Sequence, residues 1–470
     1  MRVNNKRAIS LMLLAALMAA VGCGTQPSDA PVTSDDTTSD VTTDIYAGIP
    51  TGDFGGETFS ILNSNYDWAL FQMDAESQNG EILNDAVFER NVAVEERLNI
   101  KLEIDESGYY ENTADTLNTL ILAQDDVWDA AYVPVMHAAP SAAEGYYLNL
   151  YDIDALNFEE AWWNQRSIPY YELNGKLFWA HGDAQINYFD CLWVLMFNQK
   201  LIDDLQMENP YDLVASGKWT LDKFEKMVTD ASMDLNSDSI YNEEDRMGLA
   251  THSGSAFGFL HGVGETAIGV VDGVPTISPL TERMIGAVEK LQGILTSKYV
   301  RMKADTVKTE MFASDKLLFL GETLGNASAL REMIADFGIL PFPKYDEAQT
   351  SYGSYMSPAA LGMFIPVTVS DQERSGIVME CMNALSHETV RPAYYDIVLG
   401  EKNLRDEASR STLDTLFESA ECELAYVYGW GNYRQTMASV ITSDSPIASK
   451  LESVREATQT AMDVFMANMK

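Results

Sequence analysis

The sequence predicts an α/β fold of two lobes, each a mainly parallel sheet flanked by helices, with a ligand cleft between the lobes. Three observations carry this prediction. The chain has 470 residues, enough for more than one domain. Strand-like and helix-like periods alternate from Phe54 onward. Two apolar stretches, near residues 175–198 and 357–366, look like crossovers between sheets.

The first 22 residues predict an export signal. A basic start, with Arg2, Lys6 and Arg7, precedes an apolar run from Ile9 to Val21. Thirteen residues are too few to span a bilayer, which needs roughly 20. The segment that ends in Cys23 resembles a lipobox, so we expect Cys23 to be lipidated and the protein to be exported and anchored by lipid alone to the outer face of the cell membrane.

The segment 23–52 is predicted to be a disordered linker behind the lipidated cysteine. Up to Asp44 it consists mostly of Ser, Thr and Asp and offers almost nothing apolar to bury. Such a tether would hold the folded part of the chain at a short distance from the membrane.

The first lobe begins with a β-α-β-α-β pattern. Residues 58–62 are strand-like, and Leu83 to Leu98 form a helical apolar stripe. Alternation returns at 100–104, helical spacing at 114–121 and a strand at 130–133. This order is typical of the start of a parallel sheet covered by helices.

The first crossover is predicted from two strand-like runs, 175–183 and 191–198, that flank a polar joint from Gly182 to Asp190. The second crossover is predicted at 357–366, where the chain returns to the first sheet. Each lobe is then discontinuous, with these predicted boundaries: lobe 1 from 53–183 plus 359–425, and lobe 2 from 184–358 plus 426–470.

The second lobe shows helix starts and strands of its own. Thr220 and Thr281 are plausible helix N-caps. The runs 316–320 and 337–341 read as strands. After the second crossover we expect a capping box at Ser370–Glu373 and a final helix from Ser445, both followed by apolar stripes.

Three segments also carry a family resemblance: 175–198, the run Asn84–Asn99, and the motif Trp219-Thr-Leu-Asp-Lys-Phe224. Together they resemble the extracellular solute-binding lipoproteins of bacterial ABC importers, the maltodextrin-binding-like family 1. The resemblance spans about Phe54 to Lys470. It implies a type II periplasmic-binding-protein-like fold, reversible capture of a sugar or oligosaccharide, and delivery to the transmembrane subunits of an importer, with no catalysis.

The charge of the chain excludes two classes of partner. The sequence has 31 basic and 71 acidic residues and a formal net charge of −40. Nucleic acid and anionic lipid headgroups are therefore poor partners. Excess acid is also an ordinary means of keeping a secreted protein soluble. We expect a monomer that requires no cofactor.

Candidate ligand-binding residues come from loops that follow predicted strands and from aromatics near the crossovers. A sugar ring packs on a flat aromatic face, and its hydroxyls need polar partners. Any one of these aromatic residues is more often part of the core. The candidates are Asn63, Tyr66, Trp68, Met136, His137, Asp183, Tyr188, Trp193, Glu322, Tyr355 and Trp430.

One acidic loop has the spacing of a calcium loop. Side-chain oxygens fall at positions 1, 3, 5, 9 and 12, and position 7 offers a backbone carbonyl. Position 6, where glycine is usual, is Ser239. The alternative is an acidic surface turn capped by Asn. If a structural Ca²⁺ binds, its ligands are Asp234, Asn236, Asp238, Ile240, Asn242 and Asp245.

Other function classes remain open. A secreted carbohydrate-active enzyme would share the anchor, the linker and the aromatics, but it needs a matched pair of acids, whose spacing is spatial and not sequential. The same fold could hold a peptide or another small solute. An adhesion or sensor module would share only the anchor.

Among the three remaining cysteines, the one disulfide worth testing joins Cys381 and Cys422.

Overall fold

Two larger sheets and two small two-stranded sheets organise the computed structural model, which describes residues 48–330, 333–400 and 407–469. The strands are β1 (Glu57–Asn63), β2 (Ile100–Asp105), β3 (Ala130–Pro134), β4 (Trp193–Asn198), β5 (Met247–Thr251), β6 (Ile268–Val271), β7 (Val274–Ile277), β8 (Val300–Met302), β9 (Leu317–Thr323), β10 (Phe337–Leu340), β11 (Ser354–Tyr355), β12 (Leu361–Phe364) and β13 (Ala420–Glu421).

Helices flank both sheets. They are α1 (Ile82–Leu98), α2 (Thr113–Ala123), α3 (Val135–Ala138), α4 (Ile168–Tyr171), α5 (Asn187–Asp190), α6 (Gln199–Asp204), α7 (Pro210–Ala215), α8 (Leu221–Ala231), α9 (Ala256–Gly262), α10 (Glu282–Leu295), α11 (Val307–Ala313), α12 (Gln372–Glu388), α13 (Val390–Gly400), α14 (Glu407–Glu418), α15 (Leu424–Val427), α16 (Tyr433–Ile441) and α17 (Ile447–Asn468).

The first sheet has the order β12-β3-β1-β2. β1 pairs in parallel with β2 and β3, so the predicted β-α-β-α-β start is confirmed. β12 pairs antiparallel with β3 and brings the chain back from the second lobe, as the second crossover predicts. The parallel strands end at the same edge, and the loops after them therefore meet there.

The second sheet has the order β10-β4-β9-β5-β8. β5 pairs in parallel with β8 and β9, whereas β4 pairs antiparallel with β9 and β10. The α/β class with two helix-flanked sheets is confirmed. The expectation of a mainly parallel sheet holds for the first sheet only, because the crossover strand β4 enters the second sheet against the direction of its neighbours.

The first crossover differs from its prediction. Residues 191–198 do contain a strand, β4, but residues 175–183 form no strand of their own. They run extended and make isolated bridges, Ala180 with Met363 and Gly182 with Trp163. The joint between the two runs contains the one-turn helix α5, and every residue from Gly182 to Asp190 is buried. The joint is therefore an interior element.

Helix starts agree with the sequence in part. The Thr281 side chain caps α10 by accepting a hydrogen bond from the Met284 N–H at 3.0 Å. Thr220 occupies the N-cap of α8 but makes no side-chain cap. The cap of α12 is Asp371, whose side chain accepts from the Arg374 N–H at 3.0 Å, and not Ser370. The capping-box prediction was therefore one residue early.

The structure bears on the predicted linker and on one helix assigned to the first lobe. Cys23, the signal segment and most of the linker lie outside the described residues. At the end of the predicted linker, the carbonyls of Ile49 and Pro50 accept hydrogen bonds from Arg97, at 2.7 and 2.9 Å, so these residues are held against α1. Helix α14, assigned to lobe 1 from sequence, packs on α7 and β10 of the second sheet.

The described cysteines are buried and unpaired. Cys191, Cys381 and Cys422 are all free, so the structure does not form a Cys381–Cys422 disulfide. They act as small core residues.

Within the described part of the chain, the helices are too short or too polar for any of them to cross a membrane. The described residues from Gly48 onward cluster into one compact unit that contains both larger sheets.

Candidate functional site

A cavity of about 530 Å³ lies between the two sheets, at the carboxyl ends of their strands. One wall is the segment 66–70, which follows β1. The opposite wall is the 3-10 segment 324–329, which follows β9. Asp190 of the joint and Tyr394 and Ile397 of α13 complete the lining. We call this space the cleft cavity.

Four aromatic side chains cluster on the first-lobe side of the cleft. Tyr66 and Tyr110 stack with their ring centroids 4.7 Å apart. Trp68 meets Tyr66 edge-on at 5.2 Å, and Tyr109 contacts Tyr110 at 4.8 Å. Tyr66 and Trp68 line the cavity itself. The cluster is held in place because Tyr66 is buried and its hydroxyl donates to the Ala359 carbonyl.

The polar groups described in the lining of the cleft cavity are few, and none of them is basic. Asp67 lines it and accepts a hydrogen bond from the Tyr109 hydroxyl at 3.0 Å. Asn326 and Ser328 line the opposite wall. Among the described residues that line the cavity, none is Lys, Arg or His. The site therefore suits a neutral, hydroxyl-rich molecule better than an anion.

Asp190 is the buried acid of the cleft cavity. Its Oδ2 accepts from the Leu70 N–H at 2.7 Å and its Oδ1 from the Tyr394 hydroxyl at 2.6 Å. Burial raises the pKa of Asp190 to about 6, although these two hydrogen bonds pull it down. Both carboxylate oxygens are thus engaged in joining the joint to the first-lobe wall and to α13.

Three candidates, Asn63, Asp183 and Tyr188, lie in the buried network around the joint and do not line the cleft cavity. Asn63 is fully buried and donates to Glu106 at 2.8 Å. Asp183 accepts from the Tyr188 hydroxyl at 2.9 Å and pairs with His387 at 2.6 Å. Because their polar groups are already satisfied internally, these three residues position the lobes and offer little to a ligand in the cleft cavity.

Trp193 and Glu322 lie together at the carboxyl edge of the second sheet. The Trp193 ring meets His252 at 4.9 Å. Glu322 pairs with Lys308 at 3.2 Å and with His252 at 3.6 Å. Burial on its own would raise the pKa of Glu322, but hydrogen bonds from His252 and the Thr323 N–H, together with the charge of Lys308, outweigh it and lower the pKa. Glu322 is two residues before the cavity wall at Leu324, and Trp193 pairs with Thr323 on the neighbouring strand.

The remaining candidates are scattered. Met136 and His137 follow β3 on the short helix α3, half-buried and exposed respectively. Tyr355 is buried against Phe257. Trp430 is buried against Tyr428, with ring centroids 4.5 Å apart. None of these four lines the cleft cavity.

The sequence analysis missed Tyr109, Tyr110 and the wall 324–329. A signal for the tyrosines was present, because the pair follows the second predicted strand just as Tyr66 and Trp68 follow the first. The wall segment has a small-residue sequence, Gly325-Asn-Ala-Ser-Ala329, which gives no aromatic or charge signal. Tyr394 was also missed, because it comes from a helix far along the chain.

The acidic loop brings three carboxylates together. Oxygens of Asp234, Asp238 and Asp245 lie within 4.8 Å of one another. Asp245 is fully buried and accepts from the Leu235 N–H at 2.9 Å. Ser239, where a calcium loop has glycine, adopts the left-handed φ of 67°. The loop thus makes the turn that the motif requires, and its hard oxygen donors fit Ca²⁺.

Solved structures of solute-binding proteins match most of the chain. An extracellular solute-binding protein from Staphylococcus aureus in complex with maltose has a TM-score of 0.59 at 11% identity, covering 87% of this chain and 98% of that one. The described architecture and this match together decide the fold. The chain has the two-lobe type II periplasmic-binding-like fold.

Two further matches show how ligands vary on this fold. An ABC substrate-binding protein from Listeria monocytogenes in complex with cycloalternan has a TM-score of 0.54 at 12% identity, covering 87% of this chain and 99% of that one. UgpB from Mycobacterium tuberculosis in complex with glycerophosphocholine has a TM-score of 0.55 at 14% identity, with coverages of 87% and 98%. The sequence itself matches no protein-family model and no curated protein.

Proposed function

We propose that the protein is an extracytoplasmic solute-binding receptor of an ABC importer that captures a sugar or oligosaccharide reversibly in the cleft cavity. The observation that carries the proposal is the position of this cavity, between the carboxyl ends of both sheets and beside an aromatic cluster. Lobes joined by crossovers close around a ligand in a hinge motion. The closed form is the one that the importer's transmembrane subunits would recognise.

The sugar class follows from the lining. Trp68 and the exposed Tyr109 offer apolar faces for the C–H groups of a pyranose ring. Asp67, Asn326 and Ser328 offer partners for its hydroxyls. The absence of basic groups among the described lining residues disfavours a phosphorylated or acidic sugar. A neutral saccharide satisfies all three features.

Another small solute is the main alternative. The Mycobacterium tuberculosis structure of this fold is a complex with glycerophosphocholine. A peptide would also find hydrogen-bond partners in the cleft. The choline of glycerophosphocholine would pack on the aromatic faces, but its phosphate would meet no basic side chain among the described lining residues. A peptide backbone offers no ring face for the aromatics. Both therefore rank behind a saccharide.

A carbohydrate-active enzyme is a second alternative, because two carboxyl groups, those of Asp67 and Asp190, line the same cavity. An acid catalyst needs a proton near neutral pH and an oxygen free to reach the leaving group. The raised pKa of Asp190 meets the first need. Its two engaged oxygens fail the second. Reversible binding without bond cleavage is therefore preferred.

The anchor and the assembly belong to the same proposal. Lipidation at Cys23 would hold the receptor at the outer face of the membrane, and the Ser/Thr/Asp-rich linker would let it reach the permease. We propose a monomer that touches the membrane through its lipid only and has no nucleic-acid partner. The net charge of −40 disfavours binding of the protein surface to anionic lipid headgroups and to nucleic acid.

We also propose a structural Ca²⁺ in the loop 234–245. Asp234, Asp238 and Asp245 supply carboxylates that are already grouped. Asn236, Ile240 and Asn242 lie at the intermediate positions of the motif. A bound ion would neutralise part of this repulsive cluster and stabilise the loop. Ligand capture needs no metal or other cofactor.

The test is thermal unfolding of the purified protein against a panel of mono- and oligosaccharides, amino acids and short peptides. A ligand that binds the native state raises the unfolding midpoint with the logarithm of its concentration over Kd. We expect a rise with a neutral saccharide and an unchanged saccharide on chromatography. A rise with peptides alone would contradict the sugar, and a cleaved saccharide would contradict the receptor.

A further inference from the structure

A second cavity, of about 490 Å³, adjoins the joint between the lobes. We call it the hinge cavity. Four rings line it, from Trp163, Tyr188, Phe189 and Phe417. Phe189 and Phe417 are in contact, with ring centroids 4.2 Å apart. Since none of these residues lines the cleft cavity, the hinge cavity is a separate space with its own aromatic lining.

Most of the charged side chains described at the hinge cavity are basic, although the chain as a whole is acidic. Among the described residues, its lining includes Arg166, His387 and Arg391 and one acid, Glu418. In contrast, the full sequence has 71 acidic and 31 basic residues. The buried Asp183 pairs with His387 at 2.6 Å and Arg391 at 3.3 Å. These contacts hold the two basic groups at the cavity while both stay about one-quarter exposed.

One short element separates the two cavities. In the one-turn helix α5, Tyr188 and Phe189 line the hinge cavity and the next residue, Asp190, lines the cleft cavity. Tyr394 joins the two sides. Its hydroxyl donates to Asp190 at 2.6 Å, and its ring stacks on Phe189 at 5.2 Å. A molecule in either cavity thus touches the same partition.

The hinge cavity is also lined by elements of both lobes. His387 and Arg391 belong to α12 and α13, which pack on α1 beside the first sheet. Phe417 and Glu418 belong to α14, which packs on α7 and β10 of the second sheet. Because rotation of one lobe against the other moves these walls apart or together, the width of the hinge cavity depends on the angle between the lobes.

We propose that the hinge cavity is a second binding site, for a small organic anion with a flat apolar part, and that its occupation weakens ligand binding in the cleft cavity. The rings receive the flat part, and Arg166, His387 and Arg391 receive the anionic group. A molecule wedged between the two sets of walls opposes the lobe rotation that closes the cleft. The existence of this second site does not depend on the proposed function, but its effect on ligand binding in the cleft cavity does.

The first experiment tests the site by calorimetric titration of the purified protein with benzoate, benzamide and acetate. Benzamide keeps the ring and removes the charge, and acetate does the reverse. We expect benzoate to bind about tenfold more tightly than either, since charge-assisted hydrogen bonds add that much. Equal binding of benzoate and benzamide, or no binding of benzoate, would overturn the anion site.

Two variants locate that binding. Ala161 is exposed and lines the hinge cavity, so Ala161→Trp fills it without touching the ion pairs around Asp183. We expect this change to abolish benzoate binding. Ala348→Trp, at an exposed alanine that lines neither cavity, is the matched control and should leave it intact. Benzoate binding that survives Ala161→Trp would contradict the assignment to this cavity.

The second experiment tests the coupling. The affinity for the best saccharide of the panel is measured with and without saturating benzoate, in the wild type and in Ala161→Trp. We expect benzoate to weaken saccharide binding about fivefold in the wild type only. An unchanged or stronger saccharide affinity would overturn the coupling. If no saccharide binds but benzoate does, the proposed function fails while the hinge site stands.

Discussion

The side-chain amide of Gln185 donates a hydrogen bond to Oδ1 of Asn63, with 2.7 Å between the two heavy atoms. Gln185 lies in the joint between the lobes, and Asn63 ends the central strand β1 of the first sheet. Both side chains are buried. The Asn63 amide also donates to the Phe71 carbonyl at 2.7 Å and to Glu106 at 2.8 Å. Asn63 therefore fixes the joint to the first-lobe wall of the cleft.

From this contact we predict that Asn63→Ala reduces stability. The change removes one hydrogen-bond partner from the buried amide of Gln185 and one from Glu106, which keep the Phe71 carbonyl at 2.9 Å and the Met73 N–H at 2.7 Å. Losing these hydrogen bonds costs about 1–3 kcal/mol of unfolding free energy in total. Urea denaturation measures this loss. Asn468→Ala, at an exposed position near the end of α17, is the control and should change the unfolding free energy by less than about 0.5 kcal/mol. Equal stabilities of the two variants would contradict the structural role of Asn63.

The aromatic cluster gives a prediction about binding. Tyr109 is 36% exposed at the cleft cluster, and Tyr151 is 40% exposed elsewhere on the first lobe. If a saccharide packs on the cluster, Tyr109→Ala weakens its binding by about tenfold, while Tyr151→Ala does not. Calorimetric titration with the saccharide found in the panel measures both. An equal loss in the two variants would show that the cluster is not the binding face.

Trp68 provides a second measure of the same face. It is half-buried, lines the cleft cavity and contacts Tyr66 edge-on. Because Trp68→Phe keeps a ring while Trp68→Ala removes it, we expect only the alanine variant to lose most of the saccharide affinity. The unfolding midpoint of each variant without ligand shows whether folding has suffered. Full affinity in Trp68→Ala would exclude Trp68 from the site.

The sequence predicted what local periodicity can encode. The elements from β1 to β3 were predicted because the apolar spacing changes from two to about 3.6 residues within each short segment. Residues 175–183 have strand-like composition but form no strand. A strand needs a neighbouring extended segment that pairs with several of its residues in succession. The structure offers this run only single bridges, such as that of Ala180 to Met363. Such partners cannot be read from the run itself.

The site was predictable to a similar extent. Tyr66 and Trp68 line the cleft cavity because they follow β1, and loops after parallel strands meet at that edge of the sheet. Their contact with a ligand stays a prediction. Asp183 was proposed on the same reasoning, but its partners His387 and Arg391 are 204 and 208 residues away and keep it buried. Whether a loop residue faces the cavity or the interior depends on such distant contacts.

His261 predicts a pH dependence of stability. It is buried, with ring nitrogens 3.5 Å from Glu421 and 3.4 Å from Glu423. Burial alone would lower the pKa of His261, but the two carboxylates outweigh it and raise the pKa to about 9. The unfolded value is about 6.5. The stabilising charge pair is therefore complete below about pH 6.5 and is lost as the pH rises toward 9.

We expect the unfolding free energy of the wild type to exceed that of His261→Gln most at pH 6 and least near pH 9. Urea denaturation at several pH values measures the difference. Burial lowers the pKa of His137, so its linkage has the opposite sign, and the difference between the wild type and His137→Gln should not shrink as the pH rises from 6 to 9. If the difference in unfolding free energy between the wild type and His261→Gln grows with pH, His261 is not charged in the folded protein.

The calcium proposal can be tested without disturbing the loop. Asp238 is exposed, and its Oδ1 accepts from the Ile240 N–H at 2.7 Å. Asp238→Asn keeps an acceptor oxygen but removes a charge from the cluster with Asp234 and Asp245. We expect calcium to raise the unfolding midpoint of the wild type and chelator to reverse it, because the ion binds the native loop. In Asp238→Asn the calcium-induced rise of the unfolding midpoint should be a small fraction of the wild-type rise.

Glu243→Gln is the matched control for this test, since Glu243 is an exposed acid of the same loop outside the grouped carboxylates. Its calcium-induced rise should equal that of the wild type. Magnesium should give a smaller rise, because it requires a tighter octahedral arrangement than a loop of this size provides. If calcium leaves the wild-type midpoint unchanged, the carboxylates of Asp234, Asp238 and Asp245 only cap the turn, through hydrogen bonds such as the one from the Ser239 N–H to Asp234 at 2.8 Å.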